Sequence, residues 1–435
     1  MITATWMGFF FFFAALHEFL KQHGILIMSR YSVLLSAFFI FFVVLFVWLK
    51  KTQKPFFRST TYLNVLLIIY ILVDAGGIII KLASPAGHRL STYSFAKQNQ
   101  YSICDTCARP DIYFLLMDEY GSSLSLKQQY DYDNNLDSFL LQKGFRIQTK
   151  SRSNYNFTPF SMSATLNMTY IEGIENIKAI SAEDYANCNL LIRDNEVIKF
   201  VDAQGYDIIN YSVFDLAGHP AMVDQSFLPL KTKLITDRTF FARINKDIGW
   251  LIMSWYPFKW FKKSNYLMKH RENNAEFKRR IEEDSKVKQR NPRFTYAHFY
   301  MPHAPFYYDK NGNEKTSEKI YKEYKMPPVS SYLEYVTWVN TQIKELITAI
   351  QENNPTAVII LLSDHGYRMT TTNPYPIHFF QNLNAVYYPD KDYSLLYDSI
   401  TNINEFRVIF NKLFKQSYPL LKDSSIYLKD QRPGY

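Results

Sequence analysis

Three apolar runs crowd the first eighty residues and limit where this part of the chain can reside. Residues 2–15 carry no charge, and residues 9–13 are five successive phenylalanines. Residues 31–49 form a run long enough to cross the ~30 Å hydrocarbon core of a bilayer as a helix. Residues 62–80 form a third, interrupted only by Asn64 and Asp74. A cleaved leader followed by core helices does not fit. No basic segment precedes the first run, no small-residue cleavage site follows it, and the runs recur. Hydropathy therefore predicts about three membrane helices within residues 1–84, the first of them shortened by His17 and Glu18. Lys50, Lys51, Lys54 and Arg58 mark the loop after the second run as cytoplasmic, whereas the loop before it has only Lys21 and Arg30. The chain beyond about residue 85 is then expected outside the membrane, giving a multi-pass cell-membrane protein with an extracytoplasmic domain.

Residues 85–109 read as a polar linker and residues 110–435 as one soluble domain. With 47% apolar and 17% aromatic residues, the chain is neither disordered nor of low complexity. Three cysteines exclude a disulfide-rich scaffold and a cysteine-based multi-zinc module. Residues 111–117, 294–300 and 357–362 are short apolar runs that read as buried strands. Between the last two, Leu333, Val336, Ile343, Leu346 and Ile347 form one helical stripe. Buried strands alternating with amphipathic helices predict an α/β fold, a mostly parallel sheet flanked by helices.

Ligands of such sheets bind beyond the carboxyl ends of the strands. Asp118-Glu119-Tyr120-Gly121 follows the first strand, Met301-Pro302-His303-Ala304-Pro305 the second, and Ser363-Asp364-His365-Gly366 the third. Turn chemistry alone favours Asp, Ser and Gly at such places. Together, however, Asp118, Glu119, Asp364, His303 and His365 make a ligand set suited to zinc, manganese, magnesium or calcium. His298, inside its strand, is read as a strand histidine, because side-chain alternation separates it from His303. Residues 151–168 are dense in hydroxyls. Thr158 or Ser161 is expected to cap a helix with Pro159 at its first position, where backbone N–H groups collect an anion.

The ordered set of Asp-Glu after a first strand, Thr158 at a Ser/Thr-rich helix start, Pro-His-x-Pro, and Ser363-Asp-His-Gly366 resembles the alkaline phosphatase superfamily. It is most similar to the sulfatase-like, membrane-anchored branch, which includes phosphoethanolamine transferases and lipoteichoic acid synthases. The resemblance spans roughly residues 110–425. It implies metal ligation by Asp118, Thr158, Asp364 and His365, with Thr158 as nucleophile, and leaves Glu119 either a further metal ligand or a group behind the ligands. It further implies that His303 contacts the transferring group or a second metal, and His378 is carried over in the same role on looser spacing. The implied cofactor is a divalent metal, zinc, manganese or calcium. The implied activity is metal-dependent phosphotransfer or phosphoester cleavage on phosphate-linked lipid head groups or surface glycans. A sulfatase-type ester hydrolase and an inactive, merely binding relative are the alternatives. One departure bears on the choice. Sulfatases convert a Cys or Ser in a Pro- and Arg-containing motif to an aldehyde, and Thr158 cannot undergo that oxidation.

Membrane lipid and an anionic phosphate-containing substrate are the expected partners, and nucleic acid is not expected for an external domain. Residues 259–290 hold eleven Lys or Arg against five acids, just after a stretch with Trp250, Trp255 and Trp260. That composition predicts contact of residues 248–263 with the bilayer surface. In an oxidising exterior, Cys104 and Cys107 are expected to close a small disulfide loop, leaving Cys188 free.

Overall fold

The computed structural model describes residues 2–23, 27–52, scattered positions between 57 and 72, 102–174, 179–223, 239–241, 243–244, 266–368 and 377–430. The chain divides into two compact units, Met1–Leu90 with Pro229–Asn265, and Ser91–Leu228 with Tyr266–Tyr435.

In the first unit the first two apolar runs form helices α1 (Ile2–Gln22) and α2 (Tyr31–Lys51). Among the described residues, α2 alone is long and apolar enough to cross a membrane. Its Phe39, Ile40 and Val44 are exposed. The third run lies largely outside the described residues, although its described positions are helical, and residues 248–263 lie wholly outside them. Phe9, Phe13 and Leu34 pack together with Phe240, which arrives from far along the chain. The polar pair that shortens the first run is partnered: His17 Nε2 meets the Ser29 carbonyl at 3.0 Å, and Arg243 binds Glu18 at 2.9 Å.

The second unit is a six-stranded sheet in the order β2-β6-β5-β1-β4-β3. The strands are β1 (Ile112–Met117), β2 (Arg146–Ile147), β3 (Asp207–Tyr211), β4 (Arg293–Phe299), β5 (Val358–Ser363) and β6 (Asn384–Tyr387). The four strands β5, β1, β4 and β3 run parallel, while β6 and β2 close one edge antiparallel. Strand β1 is the centre and is buried along its whole length, which is why it reads as continuous apolar sequence rather than alternation.

Alternation nevertheless decides what each strand residue touches. Tyr113, Leu115 and Met117 enter one core with α8 (Tyr266–Ser285) and α10 (Val329–Asn353). Ile112, Phe114 and Leu116 enter the other, with α5 (Thr158–Asn167), α7 (Glu196–Ala203) and α11 (Asn402–Phe414). The remaining helices are α3 (Ser123–Tyr130), α4 (Leu136–Gln142), α6 (Ala182–Arg193) and α9 (Ser317–Lys325). α8 carries five Lys or Arg and five acids, and its basic side chains pair locally, Arg279 and Arg280 with Glu276, and Lys278 with Glu345. Cys104 and Cys107 form a disulfide, and Cys188 is free and buried.

Register places the strand ends level. Met117 pairs with Phe299 on one side and Ser363 on the other, so Asp118 and Asp364 step off the sheet side by side. Gly366 then lets the chain turn. It donates its N–H to the Phe379 carbonyl at 2.8 Å. A Cβ there would lie 2.1 Å from the His378 carbonyl oxygen and 2.7 Å from that of Gln381. Because both obstacles are backbone, Gly366→Ala is expected to cost at least the ~1–3 kcal/mol of ordinary overpacking. A thermal melt should show a lowered Tm together with lost metal binding, and an unchanged melt would contradict the close approach.

Candidate active site

Three side chains meet at the level strand ends. Asp118, Asp364 and His365 offer ligand atoms that all lie within 4.8 Å of one another, and all three are fully buried. Parity puts the two aspartates together: continuing Ile112, Phe114, Leu116 gives Asp118, and continuing Val358, Ile360, Leu362 gives Asp364, both toward the α5 face. On that face α5 begins with Thr158. Its hydroxyl lies 3.2 Å from His365 Nε2, and Ser161 anchors the helix by donating to the Asp364 carbonyl at 2.5 Å. Pro159 follows at the start of the helix, where its missing N–H costs nothing. The capping residue is Phe157, without a side-chain cap, so the Thr158 hydroxyl is left for chemistry at the positive end of the helix dipole.

The hydrogen bonds state the site's charge requirement. His365 Nδ1 donates to the Gly366 carbonyl at 2.8 Å, which leaves Nε2 bare in the neutral ring. Burial, reinforced by the Arg368 charge, pushes the His365 pKa well below the imidazole range, so the ring is neutral. That bare nitrogen lies 3.2 Å from Asp364 Oδ2. Among the described residues neither Asp364 Oδ2 nor Asp118 Oδ1 has a hydrogen-bond donor, although both are buried. Burial, then the nearby Asp364 charge, raises Asp118 well above the usual carboxylate range. Lone pairs facing lone pairs in a water-excluded site carry a large desolvation penalty. A divalent cation between them removes it, and the donor set of two carboxylates, one imidazole and a hydroxyl fits such an ion.

His298 is a strand histidine and not one of the three clustered ligands, yet it reaches the site. Parity along β4 sends it to the same face as Asp118, whose Oδ2 lies 3.3 Å from His298 Nε2. Tyr296 holds the other ring nitrogen at 3.2 Å, and burial takes the His298 pKa down to about 4. The neutral ring thus donates to Asp118 and orients it, as outer partners of ligating carboxylates do.

Glu119, expected as a metal carboxylate, is not among the three clustered ligands. Its Oε1 accepts from the Arg368 backbone N–H at 3.0 Å and from Arg368 Nε at 3.2 Å, and its Oε2 lies 3.5 Å from His303 Nε2. Burial alone would raise its pKa, but the charges of His303 and Arg368 hold it below the usual carboxylate value. His303 is tied to the site by its backbone N–H, which donates to the Asp118 carbonyl at 3.1 Å, and its ring is partly exposed at the rim. His378 sits in the 3-10 turn Ile377–Phe379, its buried Nε2 without a hydrogen-bond partner among the described residues. Among the described residues its ring makes no hydrogen bond or ion pair to the side chains above. Arg368 went unremarked in the sequence, although it stands two residues past Gly366.

A sulfatase family model matches residues 120–418. No curated protein matches the chain. Solved structures similar in fold include the C-terminal periplasmic domain of EcEptC from Escherichia coli, at 13% identity over 78% of this chain and 95% of that one, with a TM-score of 0.47. The corresponding domain of the phosphoethanolamine transferase EptC from Campylobacter jejuni is 12% identical, covering 73% and 92%, with a TM-score of 0.43. The integral membrane lipooligosaccharide phosphoethanolamine transferase EptA from Neisseria meningitidis is 12% identical, covering 89% and 68%, with a TM-score of 0.42.

Asp118→Asn and Asp364→Asn are each expected to weaken divalent-metal binding by more than the ~10–100-fold typical of an outer-partner loss. Asp364→Asn also removes a buried charge, so in chelator that variant should melt no lower than the parent. Metal analysis and melts with and without chelator check both halves. Full metal occupancy in both variants would remove the aspartates from the ligand set.

Proposed function

The chain belongs to the sulfatase family, and from that premise we propose that it is a membrane-anchored, metal-dependent phosphotransferase or phosphoesterase with Thr158 as nucleophile. Enzymes of this family transfer or hydrolyse phosphate and sulfate esters. The observation that carries the phosphate reading is the Thr158 hydroxyl at the helix start, 3.2 Å from His365 Nε2 and beside two buried carboxylates.

Asp118, Asp364, His365 and Thr158 would hold the cation. When bound, a divalent metal lowers the pKa of the Thr158 hydroxyl and offsets charge on the transferring group. The rest falls to the chain. Thr158 Oγ1 attacks phosphorus, forming one P–O bond as the bond to the leaving oxygen breaks, and the start of α5 stabilises the negative charge that develops. His303, partly exposed at the rim, supplies the proton to the leaving group. Water or an acceptor hydroxyl then attacks the phosphothreonine, and release of Thr158 completes hydrolysis or transfer. Phosphoryl transfer asks mainly for positioning and charge stabilisation, which a rigid, buried set of this kind supplies.

The substrates proposed are phosphate-linked lipid head groups or surface glycans, and zinc, manganese or calcium is the proposed metal. Membrane lipid is the proposed partner. Placement outside the cytoplasmic membrane is supported by the apolar α2 and by the Cys104–Cys107 disulfide, which suits an oxidising compartment. The sulfatase-type alternative would need an oxidisable Cys or Ser at the nucleophile position, where this chain has Thr158.

The test uses the full chain with an aryl phosphodiester and an aryl sulfate. Phosphodiester turnover is expected to exceed sulfate turnover and to fall by at least about 10³-fold in Thr158→Ala, in line with other nucleophile deletions. Sulfate turnover that survives Thr158→Ala would overturn both nucleophile and substrate class.

A further inference from the structure

We infer that Arg368 is an anion-binding residue of this site, and that Glu119 is the carboxylate that positions it rather than a metal ligand. The inference rests on the phosphoryl-transfer reading for its substrate class, but its geometry stands apart from the metal.

Glu119 follows Asp118 directly, yet its backbone turns away. Its φ is +61°, a left-handed conformation that costs a non-glycine residue roughly 1 kcal/mol or more. The turn is pinned at both ends. Its N–H donates to Asp364 Oδ1 at 2.9 Å, and its carbonyl accepts from the Tyr332 hydroxyl at 3.0 Å. Strain held this firmly fixes the direction of the side chain. The carboxylate, 6% exposed, meets Arg368 through one oxygen and His303 across the other. With Arg368 already on one oxygen through two N–H groups, the carboxylate is committed before any metal arrives.

Arg368 is anchored on three sides. Nε binds Glu119. Nη1 donates to the Asn156 carbonyl at 3.2 Å, and the guanidinium lies over the Phe157 ring, 5.0 Å from its centroid. Asn156 and Phe157 are the two residues immediately before Thr158. One carboxylate next to a metal ligand and one carbonyl next to the nucleophile therefore fix the guanidinium plane. Nη2 makes no hydrogen bond among the described residues, and the side chain is 20% exposed. A planar donor fork, charged at any working pH and held by the two residues that precede the attacking Thr158, is suited to two oxygens of one tetrahedral anion. An arginine serving only to tie the loop down would need neither an open edge nor this position.

The test reads binding of inorganic phosphate by titration calorimetry, together with phosphodiester kinetics and metal content, on the full chain. Arg368→Ala is expected to weaken phosphate binding at least tenfold and to lower kcat/KM by about 10²-fold or more, with metal content unchanged. Added guanidinium should restore part of the loss, and Arg368→Lys should fall between. Glu119→Gln should keep the metal and lose phosphate affinity, and its effect should nearly vanish in the Arg368→Ala background, because Glu119 acts through Arg368. Metal loss in Glu119→Gln would return Glu119 to the ligand set and overturn its part. Phosphate affinity within twofold of the parent in Arg368→Ala, with no guanidinium effect, would overturn the assignment of Arg368, as would a parent enzyme that binds neither phosphate nor sulfate. A parent that turns over sulfate in place of phosphodiester, while its anion binding still depends on Arg368, would sink the phosphate reading and leave this inference standing.

Discussion

Two buried carboxylates, Asp118 and Asp364, sit side by side at the level ends of adjacent parallel strands, and the rest of the site is arranged around that electrostatic conflict. Among the described residues neither Asp118 Oδ1 nor Asp364 Oδ2 finds a donor, and both lie where water is excluded. A fold could relieve this by moving the strands out of register or by substituting one residue. Instead the register is held by a sheet whose central strand is apolar on both faces, so the cost of bringing the charges together is offset by packing elsewhere. The neutral His365, its bare Nε2 turned to the same spot, adds a third lone pair. A divalent cation would serve all three at once.

The surroundings keep that arrangement rigid while leaving one edge open. Tyr296 orients His298 and His298 orients Asp118. Ser161 ties α5 to the Asp364 backbone, which places the Thr158 hydroxyl without using it as a cap. On the opposite parity, Glu119 gathers Arg368 and His303 at the rim. The result is a division by charge: acids and a neutral imidazole in the buried part, a guanidinium and an imidazole where an anionic group would enter. Charge developing during transfer would meet fixed dipoles and cations with little reorganisation.

Much of this was legible in the sequence, because buried parallel strands are apolar runs and their ends carry the chemistry. Residues 112–117, 293–299 and 358–363 stand out for that reason. Strands β2 and β6, of two and four residues, are too short for any pattern to register. Strand β3 begins with an exposed Asp207 and breaks the apolar rule. His298 reads as a strand histidine and is one, but seeing that alternation also joins it to Asp118 needs the strand register. Glu119 adjoins a ligand, so the sequence leaves it either a second ligand or a group behind the ligands, and its left-handed backbone, which turns its carboxylate to Arg368 and His303, has no signature in the sequence. Arg368 was hidden by motif length, since Ser363-Asp-His-Gly366 ends two residues before it. Its role depends on Asn156 and Glu119, more than two hundred residues away, which no local spacing reveals.

The central claim is that a threonine, held at a helix start beside a metal-demanding pair of aspartates, becomes covalently phosphorylated. Mass spectrometry of the full chain, acid-quenched during turnover of a phosphodiester and mapped by peptide, tests it most directly. The predicted result is a phospho-adduct on the peptide containing Thr158, which accumulates when acceptors are withheld and disappears when they are added. Turnover with no adduct at any time, or with the adduct on another residue, would contradict the claim.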